Sequence, residues 1–332
     1  ELEFVGDSSG GFRLLTRVDL SDPRLTGLEP LPVKTVSAPA PEKGAPTAPP
    51  PPAEAAAPPP PAPPTPGEIL LDKVLADTSA APPSDIKVTT RLDYYKTQDA
   101  DTLTTLTVEA GGAGTAPVVA ARILDADNGT VVKLDKEGSF SDAGDAGISS
   151  AGDLYQAAHN IPPGKYSLVT AVEDPATGKT GMQREEVQVP DFGGDGLQMS
   201  SLTLARKVEP AGDSASGKRF TLGGFRIFPA PDTTFRSNQD LVLYFQVYNA
   251  ATDPASGKPK LKVTYKFAKV ETNRKISLHP ISQDVDQAVQ IYAITIAPVW
   301  PSGDYQVEVV VEDQVSGTSV SAIAPFKVEK EG

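Results

Sequence analysis

Pro162-Pro-Gly-Lys-Tyr166-Ser-Leu-Val-Thr-Ala-Val172-Glu-Asp174-Pro-Ala-Thr-Gly178 returns 139 positions later as Pro301-Ser-Gly-Asp-Tyr305-Gln-Val-Glu-Val-Val-Val311-Glu-Asp313-Gln-Val-Ser-Gly317. In both copies a Pro/Gly corner leads into a tyrosine, and the tyrosine opens a run of period two. A Glu-Asp pair and a glycine-bearing turn then send the chain back. This pattern predicts a β-hairpin with a fixed corner ahead of it. In the second copy Tyr305, Val307, Val309 and Val311 share one face, while Gln306, Glu308 and Glu312 share the other; Val310 is the exception. One face is therefore expected in a core and the other largely in solvent. The return strands correspond as well, Val187 and Val189 matching Phe326 and Val328. The chain carries at least two copies of one β-module.

Length and composition agree with that reading. The 332 residues allow about two domains, and the repeat spacing leaves room for an N-terminal region besides. A net charge of −13 argues against a nucleic-acid partner, since phosphate neutralisation needs clustered Lys and Arg. There is no cysteine, which excludes disulfides and Cys-ligated zinc and fits an exported protein. The apolar runs are strand-sized, so no transmembrane helix is expected. The chain opens at Glu1 without a signal peptide, read as either a removed leader or a fragment.

Residues 1–36 hold two strand-like pieces, Leu2 to Val5 and Phe12 to Leu20. In the second, Phe12, Leu14, Thr16, Val18 and Leu20 form a candidate assembly strand. Two strands alone are not stable in water, so this region is either the end of a preceding domain or an arm that must pair with something. From Pro39 to Pro66, fourteen of twenty-eight residues are proline. That segment is expected to run as polyproline II, spanning up to roughly 85 Å at about 3.1 Å per residue. An interdomain spacer is the reading, ahead of a ligand for an SH3-like groove. Gly67 to Ala76 fits either a short amphipathic helix or a lead strand.

The first module offers strands at Ile86 to Tyr95, Thr102 to Glu109, Val118 to Leu124, Val131 to Leu134, Asp153 to Ala158, Tyr166 to Val172 and Gly181 to Val189. The second offers Leu197 to Ala205, Phe220 to Phe228, Leu241 to Tyr248, Leu261 to Ala268, Val289 to Ile296, Tyr305 to Val311 and Val320 to Val328. Seven short strands with turn signals between them suggest a sandwich in each case. Asn128-Gly129 predicts a type I′ hairpin turn; Asn128 also opens a glycosylation sequon, for which the turn is the preferred explanation.

A tyrosine just after a Pro/Gly turn and two residues before a buried aliphatic is the pattern of the tyrosine corner, whose hydroxyl bonds back to nearby backbone. Tyr166 with Gly164 and Leu168, and Tyr305 with Gly303 and Val307, fill those positions. The chain thus resembles bacterial immunoglobulin-like or fibronectin-III-like repeats. It departs from antibody domains, which place Cys at Leu168 or Val307 and Trp on an earlier strand; Trp300 here sits in the corner loop. The phrases Leu197 to Arg206, Phe225 to Asp232 and Leu243 to Asn249 are similar to the β-rich C-terminal region of exported bacterial proteins of GWxTD or von Willebrand A-like type. The upstream motifs of those proteins are absent from this sequence, so no activity is implied.

Candidate chemistry is sparse. His159 and His279 fall in different modules with no nucleophile beside them. Asp142, Asp145 and Asp153, and Asp191 with Asp195, offer oxygens for calcium without a dedicated loop spacing, and a solvated acidic loop is preferred. Glu173-Asp174 and Glu312-Asp313 are adjacent strand residues that point to opposite faces, which suits solubility at a hairpin end rather than glycoside hydrolysis. Asp191 to Gly196 joins the modules and precedes no helix, so it is not a phosphate loop. Tyr94, Tyr95, Phe235, Tyr244, Tyr248 and Trp300 are candidates for a glycan-stacking platform, against a simpler role in the core.

The resulting expectation is an all-β protein: an N-terminal β-arm (1–36), a Pro/Ala-rich linker (37–67) and two tandem immunoglobulin-like β-sandwiches (68–192 and 193–332). It is expected to be a non-enzymatic structural or interaction protein, extracellular, periplasmic or on the cell surface, with no cofactor. Its expected partners are other copies of itself or another surface protein, possible assembly running through strand addition by the arm. The alternative is a glycan- or peptide-binding module.

Overall fold

The computed structural model describes residues 2–6, 12–16, 63–76, 81–114, 117–134, 139–141, 154–211, 221–272 and 274–330. Asp142, Asp145, Asp153, Val18, Leu20 and most of the Pro-rich segment lie outside the described residues. The described chain is predominantly β. A hairpin of β1 (Leu2–Gly6) and β2 (Phe12–Thr16) comes first, pairing Leu2 with Thr16 and Gly6 with Phe12.

Among the described residues the one helix is α1 (Pro66–Ala76), which decides the ambiguity at Gly67 to Ala76. Its start is encoded locally. Thr65 caps it, the Thr65 hydroxyl accepting from the Glu68 N–H at 3.2 Å and the Glu68 carboxylate accepting from the Thr65 N–H at 2.8 Å. Pro66 takes the first helical position, where its missing donor costs nothing. Leu70 and Leu71 pack onto Ala120, Leu124, Val169 and Ala171, and each buried leucine contributes about 2 kcal/mol.

Four strands form one antiparallel sheet in the order β3 (Lys87–Lys96), β4 (Thr102–Gly111), β8 (Leu154–Ile161), β7 (Ser139–Ser141). A second sheet runs β10 (Thr180–Val189), β9 (Gly164–Glu173), β5 (Val118–Leu124), β6 (Thr130–Lys133). Leu106, Val108 and Ala157 of the first sheet meet Val119, Ile123, Leu168 and Val172 of the second in one core. Because α1 covers its outer side, β9 is buried on both faces from Ser167 to Val172, and the simple alternation is lost.

Residues 198–329 make a second pair of sheets. One is built from β20 (Val289–Thr295), β16 (Asp240–Tyr248), β11 (Gln198–Met199) with β12 (Thr203–Pro210), β14 (Phe225–Pro229) and β13 (Thr221–Leu222). The other is built from β18 (Arg274–Ser277) with β19 (Ile281–Val285), then β17 (Leu261–Glu271), β21 (Gly303–Asp313), β22 (Ser319–Glu329) and β15 (Thr234–Arg236). Leu241, Leu243, Phe245 and Val247 face Val263, Tyr265, Phe267, Val307, Val309 and Val311 across their shared core.

The structure corrects several local expectations. The Leu197 to Ala205 run is two strands, broken at Ser200 to Leu202, and the Phe220 to Phe228 run is divided at Gly223-Gly224. Strands β15, β18 and β19 add to the seven expected in that half; they are short or strongly charged and carry little periodic signal. Asn128-Gly129 does not make a type I′ turn. Asn128 has a positive φ of 63°, Gly129 is not in that region, and the Asn128 N–H closes on the Asp125 carbonyl at 3.1 Å. The Asp125 carboxylate, accepting from the Asp127 and Gly129 N–H groups at 2.9 and 2.7 Å, selects this turn.

Candidate functional site

The most heavily built polar region lies where the first pair of sheets meets the second. The end of β3 approaches the chain between β11 and β12: the Ser201 N–H donates to the Tyr94 carbonyl at 3.0 Å, and the Tyr94 N–H donates to the Ser201 hydroxyl at 2.9 Å. Alternation along β3 carries Asp93 and Tyr95 inward on the same side. Arg91 grips the Asp93 carboxylate through two bonds of 2.8 and 2.9 Å and donates to the Leu202 carbonyl at 2.9 Å. Asp93 is 1% exposed, so the fork is what makes its burial tolerable.

Tyr95 enters a small apolar cluster on the outer face of the β20–β16–β12–β14 sheet, with Ala205, Ile227, Val242 and Tyr244. Its hydroxyl lies 2.6 Å from that of Thr203, and its ring meets Tyr244 edge-on at 6.0 Å. Burial, with the Asp93 charge as a smaller cause, holds its hydroxyl well above the ordinary tyrosine range. A polar chain continues beside it. The Lys96 N–H donates to the Tyr248 hydroxyl, which donates to Gln246, whose amide donates to the Tyr244 hydroxyl. Burial pushes Tyr244 and Tyr248 up to about 12. Farther along, Gln156 donates to the Ile227 carbonyl at 3.3 Å, and Arg206 joins Glu109 at 3.4 Å to Asp232 at 2.8 Å.

The six candidate aromatics therefore do not form an exposed platform. Tyr95 and Tyr244 are buried in this seam, Tyr94 and Tyr248 flank it, and Phe235 is fully buried in the second core. Trp300 stacks on Tyr305 at 5.2 Å and lies against Phe267 and Phe326. The seam itself was missed in the sequence, although Arg91-Leu-Asp93 on a strand, charged where a core residue is due, was a usable signal.

At the repeated corners, Tyr166 donates to the Pro162 carbonyl at 3.0 Å and Tyr305 to the Pro301 carbonyl at 2.8 Å. Gly303 has a φ of 143°, and a side chain at Gly164 would press on the Tyr166 ring. The Glu-Asp pairs are corrected in one respect. Asp174 and Asp313 are not solvent groups but are turned into their own turns, Asp174 accepting from Ala176 and Thr177, and Asp313 from Val315 and Ser316. Asp253 repeats the same arrangement with Ala255 and Ser256. Gly178, Gly257 and Gly317 close the three turns at φ near 70°. The Asp-x-x-Ser/Thr-Gly spacing was the signal.

His159 is on β8 with Nδ1 beside the Asn160 carbonyl, and His279 is exposed in a distant loop. Asp191 accepts from the Gly193 N–H at 2.7 Å in a tight loop. Among the described residues no three His, Asp or Glu side chains gather as a metal site, and no helix is long and apolar enough to cross a membrane. A cleft of ≈ 140 Å³ between α1 and β10, lined by Val74, Pro82, Pro83, Thr180 and Met182, carries Lys73 as its one titratable side chain.

No protein-family model matches the chain, and no curated protein matches it. Many solved structures are similar, three of them as follows. A DUF4785 family protein from Legionella pneumophila is 8% identical, with a TM-score of 0.23, over 74% of this chain and 56% of that protein. The dimeric latent PorU of Porphyromonas gingivalis is 13% identical, with a TM-score of 0.27, over 77% of this chain and 21% of PorU. The fibronectin(III)-like modules of Clostridium thermocellum CbhA are 11% identical, with a TM-score of 0.19, over 68% of this chain and 86% of that one. The chain thus spans about half, or less, of the first two.

Proposed function

We propose that this chain is a non-enzymatic structural or interaction protein of the bacterial cell surface or extracellular space. In this reading residues 68–192 and 193–332 are two tandem immunoglobulin-like sandwiches, preceded by a polyproline II linker and an N-terminal arm. The arm supplies strands for assembly. The observation that carries the proposal is the seam. Buried side-chain hydroxyls, a forked ion pair and reciprocal backbone bonds tie β3 to the Ser201 to Thr203 stretch, so the two units are held at one angle. A fixed angle is what a spacer or scaffold needs and what a hinged carrier of independent binding domains lacks. The strand phrases similar to GWxTD-type proteins belong to the same proposal and bring no activity with them.

A glycan-stacking alternative is not adopted, because the aromatic rings it needs are spent on the seam and the second core. Small-angle scattering tests the proposal. A chain lacking residues 1–62 is expected to fit one rigid two-unit shape, and Tyr95→Ala with Arg91→Ala is expected to broaden it into a bent ensemble. A broad ensemble in the unaltered protein would reject the rigid-scaffold reading.

A further inference from the structure

Sheet edges are where an open β-protein is exposed to unwanted strands, and natural edges are blunted by charge, proline or brevity. Among the described residues, the edge strands β3, β6, β10, β18 and β19 and the partly open β22 each carry at least one charged side chain, and β7, β11, β13 and β15 are three residues or shorter. Strand β20 is the exception. Val289-Gln-Ile-Tyr-Ala-Ile-Thr295 is seven residues of high β-propensity without charge or proline, paired with β16 on one side alone.

Ladder parity shows which backbone groups are open. The Val247 N–H bonds the Ala288 carbonyl and the Ile296 N–H bonds the Gln239 carbonyl, and the register between them is unbroken. Even-numbered residues therefore turn their N–H and C=O groups toward β16. Val289, Ile291, Ala293 and Thr295 turn theirs to the free side. The side chains of Val289, Ile291 and Ala293 also continue the apolar outer face around Val242 and Tyr244. Among the described residues β2 comes within 8 Å of β20 between Cα atoms, while its ladder is made with β1 alone.

We propose that β20 is a strand-acceptor edge and that the chain's own β1–β2 hairpin is its resident cover. The pairing is reciprocal in need. A two-stranded hairpin is marginal in water without a surface to lie on, and an uncharged seven-residue edge is unsafe without a cover. The tether supports cover within one chain. Helix α1 anchors Thr65 to the first pair of sheets, and closure of the hairpin on its own edge is an event within one chain whose extent does not depend on protein concentration. At low protein concentration that favours the chain's own hairpin over a neighbour's. This inference does not require the proposed assembly role of the arm; the two share one edge, which a neighbour's hairpin takes only when the chain's own has left it.

The absence of cysteine makes the test clean. Ile291→Cys is combined in turn with Phe12→Cys, Leu14→Cys and Thr16→Cys in the full chain and treated with a short bismaleimide. The expected product is an internally closed monomer whose yield does not change over a tenfold range of protein concentration. Closure at none of the three positions, or a cross-linked dimer that rises with concentration, would overturn the cover. The dimer would leave arm-mediated assembly standing, whereas a flexible seam in scattering would reject the scaffold reading alone. Hydrogen exchange gives a second measurement. Removing residues 1–16 is expected to speed exchange at Val289, Ile291, Ala293 and Thr295 by about tenfold, with Gln290, Tyr292 and Ile294 unchanged. Equal rates at all seven would also overturn it.

Discussion

The hydroxyls of Tyr95 and Thr203 stand 2.6 Å apart in a buried site, joining strands that are 108 positions apart in sequence. The bond sits at the tip of a side chain that crosses from one pair of sheets into the other, so Tyr95 couples their stabilities. Tyr95→Phe is expected to cost about 1 kcal/mol by leaving the Thr203 hydroxyl unpaired. Tyr95→Ala is expected to cost about 3–5 kcal/mol and to split denaturant unfolding into two transitions. A single transition of unchanged midpoint in the alanine variant would show that the seam carries no coupling.

The two corners are not equal. Tyr305 is 2% exposed and stacked between Trp300 and Phe326, whereas Tyr166 is half-buried at the surface. Tyr305→Phe is expected to lower stability by about 1 kcal/mol and Tyr166→Phe by less than half of that, because water replaces the lost bond at the exposed site. Urea midpoints of the two variants decide it.

Thr170 is fully buried on β9 and its hydroxyl has no hydrogen-bond partner among the described residues. Thr170→Val keeps the shape and removes an unpaired polar atom, so it is expected to stabilise the protein by about 1 kcal/mol. A lower melting midpoint for the valine variant would mean that the hydroxyl is satisfied after all.

Alkaline pH should weaken the seam. Burial raises Tyr244 and Tyr248 to about 12, so above the ordinary value of 10 the unfolded chain releases protons that the native state still holds. Their contribution is complete below pH 10 and is lost as pH rises toward 12, at up to about 1.4 kcal/mol per pH unit for each tyrosine. Tyrosinate absorbance rising together with loss of near-ultraviolet circular dichroism is the expected signature; ionisation of all tyrosines near pH 10 with the fold intact would contradict it.

Two of the three Asp-centred turns, at Asp313 and Asp253, should differ by what else they hold. Burial alone would raise Asp313, but the N–H groups of Ala251, Val315 and Ser316 and the Ser316 hydroxyl bring it below the usual carboxylate range. Its bond to Ala251, at 2.7 Å, ties the β21–β22 turn to the loop before β17. Asp313→Ala is expected to cost about 2 kcal/mol and Asp253→Ala well under 1 kcal/mol, since the latter turn is exposed and ties nothing distant. Thermal melts of the two variants would reverse the ranking if the Ala251 bond were unimportant.

What the sequence determined by itself is local. The alternation from Tyr305 to Val311 and the Pro/Gly corners before both tyrosines are each set by residues within a few positions of one another. Strand positions were legible for the same reason. Only the tertiary structure decided the rest. Whether Leu70 and Leu71 belonged to a helix depended on the bare outer face of β5 and β9 waiting to be covered, and whether Tyr95 and Tyr244 were exposed depended on a second sheet arriving against them. Asp93 reads as a misplaced charge until Arg91 and Leu202 close around it. The β20 edge is likewise a property of which strand lies outermost. A period-two pattern reports that one face is buried; it holds no information about what buries it, because burial is a relation between surfaces far apart in the chain.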